Sequence, residues 1–262
     1  MIQDPRECGF EINSKSNDPV SQRALRLWEG PFSLRFARSI PFSRPGRWAL
    51  KSRGNPSGLA LCIAMPVHEK QSANHVLPPA LAPGALPTAL APMQDVTDLP
   101  FMRVMKKYGV PDYFFTEYFR VYPNSILDRH ILKSITDSHT GRPVFAQLLG
   151  NSLDDIRRIV AKLEPYPVAG IDLNVGCPAP KIYKNDAGGG LLRNLDLLDR
   201  IMGTLRECVR QGTFSVKIRI GFDSFEPFEG TIELVRKHAA DFLTIHARTV
   251  AQSYRGEPHY DF

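Results

Sequence analysis

From residue 87 onward one unit recurs: a short apolar run, a turn, an amphipathic stretch, then another apolar run. Strands are expected at 87–92 (PTALAP), 112–117 (DYFFTE), 143–148 (PVFAQL), 168–174 (VAGIDLN), 214–219 (FSVKIR) and 241–246 (DFLTIH). Between them, residues 152–163 place Leu153, Ile156, Val160 and Leu163 on one helical face. Residues 191–210 do the same with Leu191, Leu195, Leu198, Met202, Leu205 and Val209. Runs separated by helices cannot be hairpins, so the strands are parallel and joined by helical crossovers. An open doubly wound sheet and a (β/α)8 TIM-type barrel both satisfy this pattern.

The polar residues choose between the two. Side chains alternate along a strand, so Val216 and Ile218 share one face, with Ser215, Lys217 and Arg219 on the other. Leu243 and Ile245 likewise oppose Thr244 and His246, and Ile171 and Leu173 oppose Asp172 and Asn174. Gln147 opposes Val144, Ala146 and Leu148. A sheet covered by helices on both sides needs apolar residues on both faces. Here one face ends in Gln147, Asn174, Lys217 and His246, each near the carboxyl end of its strand. In a barrel these groups converge on the upper mouth, where such folds keep their chemistry. A barrel is the expected fold.

The segment 171–192 adds a thiol to that mouth. A buried strand runs into a loop holding Cys177, stiffened by Pro178 and Pro180, and Gly188 to Gly190 follow before a helix. Alone, such a cysteine reads as a half-buried turn residue, Lys217 as a snorkelling edge lysine and His246 as a core histidine. Together, a cation, an amide, an imidazole and a thiol suit a planar heteroaromatic cofactor. Lys217 would stabilise negative charge on a reduced ring and Gln147 would hydrogen-bond its polar edge. A papain-like Cys/His nucleophile is an alternative, although no third residue is evident to orient the histidine. No ligand pair has a metal-site spacing.

Residues 1–86 have a different texture. They lack a sustained period, are interrupted by ten prolines, and carry 11 Lys+Arg against 6 Asp+Glu, compared with 22 against 21 over 87–262. This basic, Pro-rich extension is expected to be disordered, and its charge is weak evidence for nucleic acid. The opening residues lack the apolar core of a secretory signal. A mitochondrial transit peptide suits the Arg-rich stretch 23–53 but not the early Asp4, Glu7 and Glu11. A start at Met65 is a further possibility. No apolar run approaches a membrane span. The four cysteines, Cys8, Cys62, Cys177 and Cys208, are scattered, so a reducing cytoplasm is the expected compartment.

Several motifs occur in order: Leu-Ala-Pro-Met-Gln-Asp-Val-Thr-Asp-Leu-Pro-Phe (90–101), Thr-Glu-Tyr-Phe-Arg-Val (116–121) and Phe-Ala-Gln-Leu-Leu-Gly (145–150). Asp-Leu-Asn-Val-Gly-Cys-Pro-Ala-Pro-Lys (172–181), Val-Lys-Ile-Arg-Ile-Gly (216–221) and Ile-His-Ala-Arg-Thr (245–249) follow, then Gln252, Tyr254 and Gly256. With these, residues 88–262 resemble the tRNA-dihydrouridine synthases, FMN-dependent (β/α)8 reductases. The resemblance implies that Pro92, Met93 and Gln94 line one side of the flavin, and that Gln147, Lys217 and His246 contact FMN. It implies that Arg120 and Asn174 face the tRNA substrate and that Cys177 is the proton donor. NADPH would reduce FMN, the flavin would pass hydride to uracil C6, and the cysteine would protonate C5. An ordinary thiol, with a pKa of about 8.5, is protonated near neutrality and can serve as that acid.

Two departures stand out. Asp95 and Asp186 occupy positions where the family often has glycine. Six strands are expected between residue 87 and Phe262, whereas a closed barrel has eight. The family's phosphate-gripping loops and its helical tRNA-binding domain come later still. The expectation is therefore a barrel truncated after about six units, with two open sheet edges. The enzyme reading stands beside two others: an inactive remnant or RNA-binding fragment of the same family, and a flavin barrel acting on a small molecule. A monomer without metal or membrane contact is expected.

Overall fold

The computed structural model describes residues 87–209 and 212–260, together with the backbone of strands β1 (Ala37–Ile40) and β2 (Leu61–Ala64). The rest of the expected extension, 1–86, lies outside the described residues. The described residues belong to one unit, Arg35–Phe262.

Strand and helix then alternate. β3 (Thr88–Leu90) leads to α1 (Leu99–Tyr108), then β4 (Tyr113–Phe115), a short β5 (Phe119–Val121) and α2 (Arg129–Thr136). β6 (Val144–Gly150), α3 (Leu153–Leu163) and β7 (Gly170–Val175) follow. After β7 come a single turn, α4 (Pro180–Tyr183), a 3-10 segment at Gly188–Arg193, and α5 (Leu195–Cys208). β8 (Thr213–Arg219), α6 (Phe228–Lys237) and β9 (Phe242–His246) complete the order. All six expected strands are present. The helix expected over 191–210 is divided at Asn194, whose side chain accepts from the Leu197 amide at 3.0 Å and so starts α5 afresh. Ser152, Asp128 and Asp98 cap α3, α2 and α1 in the same way.

β3, β4, β6, β7, β8 and β9 form one run of parallel ladders, with β5 added in parallel to the upper half of β6. The open edges expected at the first and last units are not bare. β1 pairs antiparallel with β3, β2 pairs antiparallel with β9, and β1 and β2 pair in parallel. Followed strand to strand, the sheet runs β4-β3-β1-β2-β9-β8-β7-β6 and returns to β4. This is barrel architecture, with the crossover helices outside.

Two apolar clusters show which face is which. Leu90, Phe114, Ala146, Leu148, Leu173, Val216, Ile218 and Leu243 join the buried faces of the helices. These are the outward-pointing strand residues. Ala89, Tyr113, Phe115, Phe145 and Phe242 form a separate cluster on the inner face. Their rings stack or meet edge to face, with centroids 5.1 Å apart for Phe115–Phe145 and 5.5 Å for Phe145–Phe242. An aromatic floor therefore plugs the lower interior, and the polar alternation sits above it.

Candidate active site at the mouth of the barrel

Two residues above Phe145 on the inner face stands Gln147, fully buried. Its amide nitrogen donates to Asp172 Oδ2 at 2.7 Å, and its amide oxygen accepts from Asn174 Nδ2 at 2.8 Å. Asp172 is also buried and accepts from Ser215 Oγ at 2.6 Å. Burial pushes the Asp172 carboxyl up to about 6, opposed by the hydrogen bonds from Ser215 and Gln147 and by the charge of Lys217. Asn174 Oδ1 turns upward and accepts from the backbone N–H groups of Gly176 at 3.0 Å and Cys177 at 2.9 Å. Asn174, Lys217 and Thr244 are register neighbours across β7, β8 and β9, so their side chains share a level.

The backbone before and after Cys177 is held as well. Arg219 Nε donates to the Gly176 carbonyl at 2.9 Å, and the Cys177 carbonyl accepts from the Gly189 amide at 3.1 Å. The glycine run explains itself here. A Cβ on Gly188, whose φ is +54°, would lie 2.9 Å from the Cys177 Cβ. One on Gly189 would lie 2.5 Å from Val250 Cγ2. Side chains there would displace the loop, so glycine lets the second loop support the first. Cys177 itself is half-buried and unbonded to another cysteine.

Arg219 is only 2% exposed, and it donates to the Thr249 carbonyl at 2.8 Å and the Ser253 carbonyl at 2.6 Å. Its guanidinium sits 5.3 Å from the Tyr254 ring centroid. One buried cation thus ties the cysteine loop to the loop after β9. Desolvation lowers its pKa from the usual arginine value. His246, beside Arg219 in register, receives Arg248 Nη1 at 3.0 Å from its Nε2. Arginine only donates, so Nε2 accepts and the imidazole is neutral with its proton on Nδ1. Burial, then the charges of Lys217, Arg219 and Arg248, drive its pKa down to about 2.

On the other rim, Tyr118 hydrogen-bonds Arg120 and lies near Cys177, and burial is the main cause of its raised pKa. Arg120 is exposed. Pro92, Met93 and Gln94 follow β3, with Pro92 half-buried and the other two exposed. Glu117 accepts a hydrogen bond from the Asp95 amide, joining this turn to the residue beside Tyr118. Asp95 and Asp186 have φ values of 59° and 49°. Both are left-handed positions that favour glycine and tolerate aspartate, which accounts for the two sequence departures.

Of the expected site residues, Gln147, Asn174 and Cys177 lie on one hydrogen-bonded chain, Lys217 stands level with Asn174, and His246 lies one inward position higher beside Arg219. Arg120 reaches the cysteine's surroundings through Tyr118. Pro92, Met93 and Gln94 stand at the same end of the barrel, after the carboxyl end of β3. Asp172, Ser215, Arg219 and Tyr118 were not expected as site residues. The signal for three of them was present: Asp172 lies two residues before Asn174, and Ser215 and Arg219 flank Lys217 by two.

A family model for dihydrouridine synthase matches residues 89–262. The chain belongs to the dihydrouridine synthase family. A probable tRNA-dihydrouridine synthase of Helicobacter pylori is 33% identical over 170 residues, covering 63% of this chain and 50% of that protein. A probable tRNA-dihydrouridine synthase 2 of Bacillus subtilis is 28% identical over 180 residues, covering 66% and 53%. One from Staphylococcus aureus is 29% identical over 178 residues, covering 66% and 52%. The chain spans about half the length of these relatives.

This dihydrouridine synthase family member therefore places a thiol, two amides, a lysine and a neutral imidazole on one rigid rim above an aromatic floor. Among the described residues no group of His, Cys, Asp or Glu is arranged to hold a metal ion. No helix among them is long and apolar enough to cross a membrane.

Proposed function

We propose that this chain reduces a uridine of tRNA to 5,6-dihydrouridine, with FMN as cofactor and NADPH as the source of electrons. The observation that carries the reading is the hydrogen-bonded chain from Asp172 through Gln147 and Asn174 to the Cys177 amide. It sets a thiol at a fixed height above a layer that suits a planar polar ring. The donor set fits FMN. Gln147 retains one N–H and one lone pair after its two bonds, Lys217 offers a cation where negative charge would develop, and neutral His246 keeps its Nδ1–H. Pro92, Met93 and Gln94 would line one side. FMN, when bound, supplies the hydride.

The chain's residues supply the rest. Asn174 keeps one N–H for a uracil carbonyl, because its oxygen and its other N–H are committed. Hydride arrives at C6 and the Cys177 thiol gives its proton to C5, after which the thiolate regains a proton from water. Exposed Arg120 would meet the phosphate backbone beside the site. A uridine reaches this depth only when flipped from its stack, which suits a concave mouth rimmed by exposed Tyr122 and Tyr254.

The test is direct. The purified 262-residue chain should carry a flavin absorption spectrum that bleaches with NADPH and returns with unmodified tRNA, yielding dihydrouridine. A soluble, colourless protein that binds tRNA without bleaching would instead support the RNA-binding fragment.

A further inference from the structure

In the buried chain beneath the cysteine loop every donor points toward one acceptor. The Gly176 and Cys177 amides can only donate, so Asn174 must give them its oxygen and turn its nitrogen to Gln147. Gln147 must then offer its oxygen to Asn174 and its nitrogen to the next group down. That group is Asp172, which also collects the Ser215 hydroxyl and so ends the chain. We propose that Asp172 is the positioning residue of this site: its carboxylate anchors the Gln147 amide in the orientation that Asn174 requires and, through Asn174, holds the backbone that carries Cys177.

Gln147 is held in one orientation from both ends: Asn174 Nδ2 requires its oxygen, and the Asp172 carboxylate takes its nitrogen. Without an acceptor at Asp172 Oδ2 the buried Gln147 nitrogen loses its partner, only the bond from Asn174 still opposes rotation, and an amide that turns over to satisfy that nitrogen elsewhere presents it to Asn174. Two donors then face each other, and Asn174 must release Gln147 or the loop. Asp172 acts on the chemistry only through these neighbours; it touches no reacting atom.

The inference rests on the proposed activity for its meaning, but its first test does not. Backbone hydrogen exchange is measured at Gly176 and Cys177 in the full chain. Asp172→Ala should speed exchange there by about tenfold, the loss of roughly one hydrogen bond. Asp172→Asn keeps a carbonyl oxygen for Gln147 and should stay near wild type. Unchanged exchange in Asp172→Ala would mean that the Asn174 turn stands alone, and the proposal fails. If Asp172→Ala does not fold, Gln147→Met cuts the same chain one link later and must open the same two amides; unaltered protection there overturns the proposal equally. In flavin-loaded protein, Asp172→Ala should lower uridine reduction more than NADPH-driven flavin bleaching, with Asp172→Asn restoring the difference. Equal loss of both steps without rescue would reduce Asp172 to a structural residue. A colourless wild type would sink the proposed activity while leaving the exchange result decisive.

Discussion

Phe145 and Gln147 stand two residues apart on β6, and Phe242, Thr244 and His246 climb β9 with the same period. The lower members join an aromatic floor; the upper ones join a network in which nearly every group depends on a partner's proton. The backbone that carries them is continuous, so the difference lies in how each half is stabilised. The floor depends on volume and contact. The mouth depends on donor and acceptor matching, because its polar groups have been removed from water. Its two buried ionisable extremes solve that problem oppositely. Asp172 gathers side-chain donors, and Arg219 spends its donors on backbone carbonyls of two loops. Damage to the floor should therefore appear as lost stability with little pH dependence. Damage to the mouth should appear as lost chemistry or altered titration.

The largest separation is expected from Cys177→Ala. Uridine reduction should fall by roughly 10²–10⁴-fold, the usual worth of a positioned proton donor, while flavin content, NADPH bleaching and thermal stability stay near wild type. Single-turnover kinetics with tRNA measure this. Retained turnover would remove the thiol from the proton-donor role. At the other end, Phe145→Ala should cost about 3–5 kcal/mol in a urea titration, since Phe145 meets Tyr113, Phe115 and Phe242 within one plug. The loss should be the same at pH 5 and pH 8. A strongly pH-dependent loss would mean that floor and mouth are not separable.

Much of this division was legible in the sequence because a strand's period is short and unforgiving. The apolar–polar alternation in 214–219 and 241–246 predicts which side chains face inward, and Lys217 and His246 lie there. Asn174 and Cys177 were marked by the strand-to-loop transition. What escaped were identities that mean nothing without a neighbour. Asp172 looks like an ordinary polar alternate until Ser215 is found on it from 43 residues away. Arg219 reads as one more polar residue on the inward face until two loops are found bonded to it. The pairing of β1 and β2 with β3 and β9 was also invisible, because four-residue strands such as ARSI and LCIA carry no detectable period. The break at Asn194 is a capping effect, local in cause but masked by apolar spacing that continues on both sides.

Titration sharpens the contrast within the mouth. His246 is held at about 2 in the fold, against about 6.5 when unfolded. The unfolded chain therefore takes up the proton first, and stability from neutral His246 is present above pH 6.5 and lost as pH falls toward 2. Asp172 is raised to about 6 from 3.8. Here the fold holds the extra proton, so the contribution is present below pH 3.8 and lost as pH rises through 6. Between about pH 4 and 6 the two slopes oppose each other, and wild-type stability should be nearly flat in that window. Asp172→Asn removes one slope and should leave stability falling by about 1.4 kcal/mol per unit as pH drops below 6.5. Chemical denaturation at pH 4, 5, 6 and 7 decides this. A variant profile parallel to wild type would show that Asp172 does not titrate in the fold.

The smallest expected effect concerns the turn that joins the two rims. Asp95 occupies a left-handed conformation with φ of 59°, and its charge also works against Glu117. A non-glycine residue there costs on the order of 1–2 kcal/mol, less for aspartate, and glycine returns about 0.5–1 kcal/mol of that through its freer unfolded chain. Asp95→Gly should therefore gain no more than about 0.5–1 kcal/mol. Asp186 shares the conformation, at 49°, but its carboxylate pairs with Arg193 at 3.2 Å, so substitution there would lose a contact along with the strain. The backbone N–H of residue 95 remains available to Glu117 after the change, so the turn should keep its place and flavin binding should not weaken. A drop in thermal midpoint for Asp95→Gly would show that the aspartate side chain itself holds the rim, and that the left-handed turn is not what limits stability there.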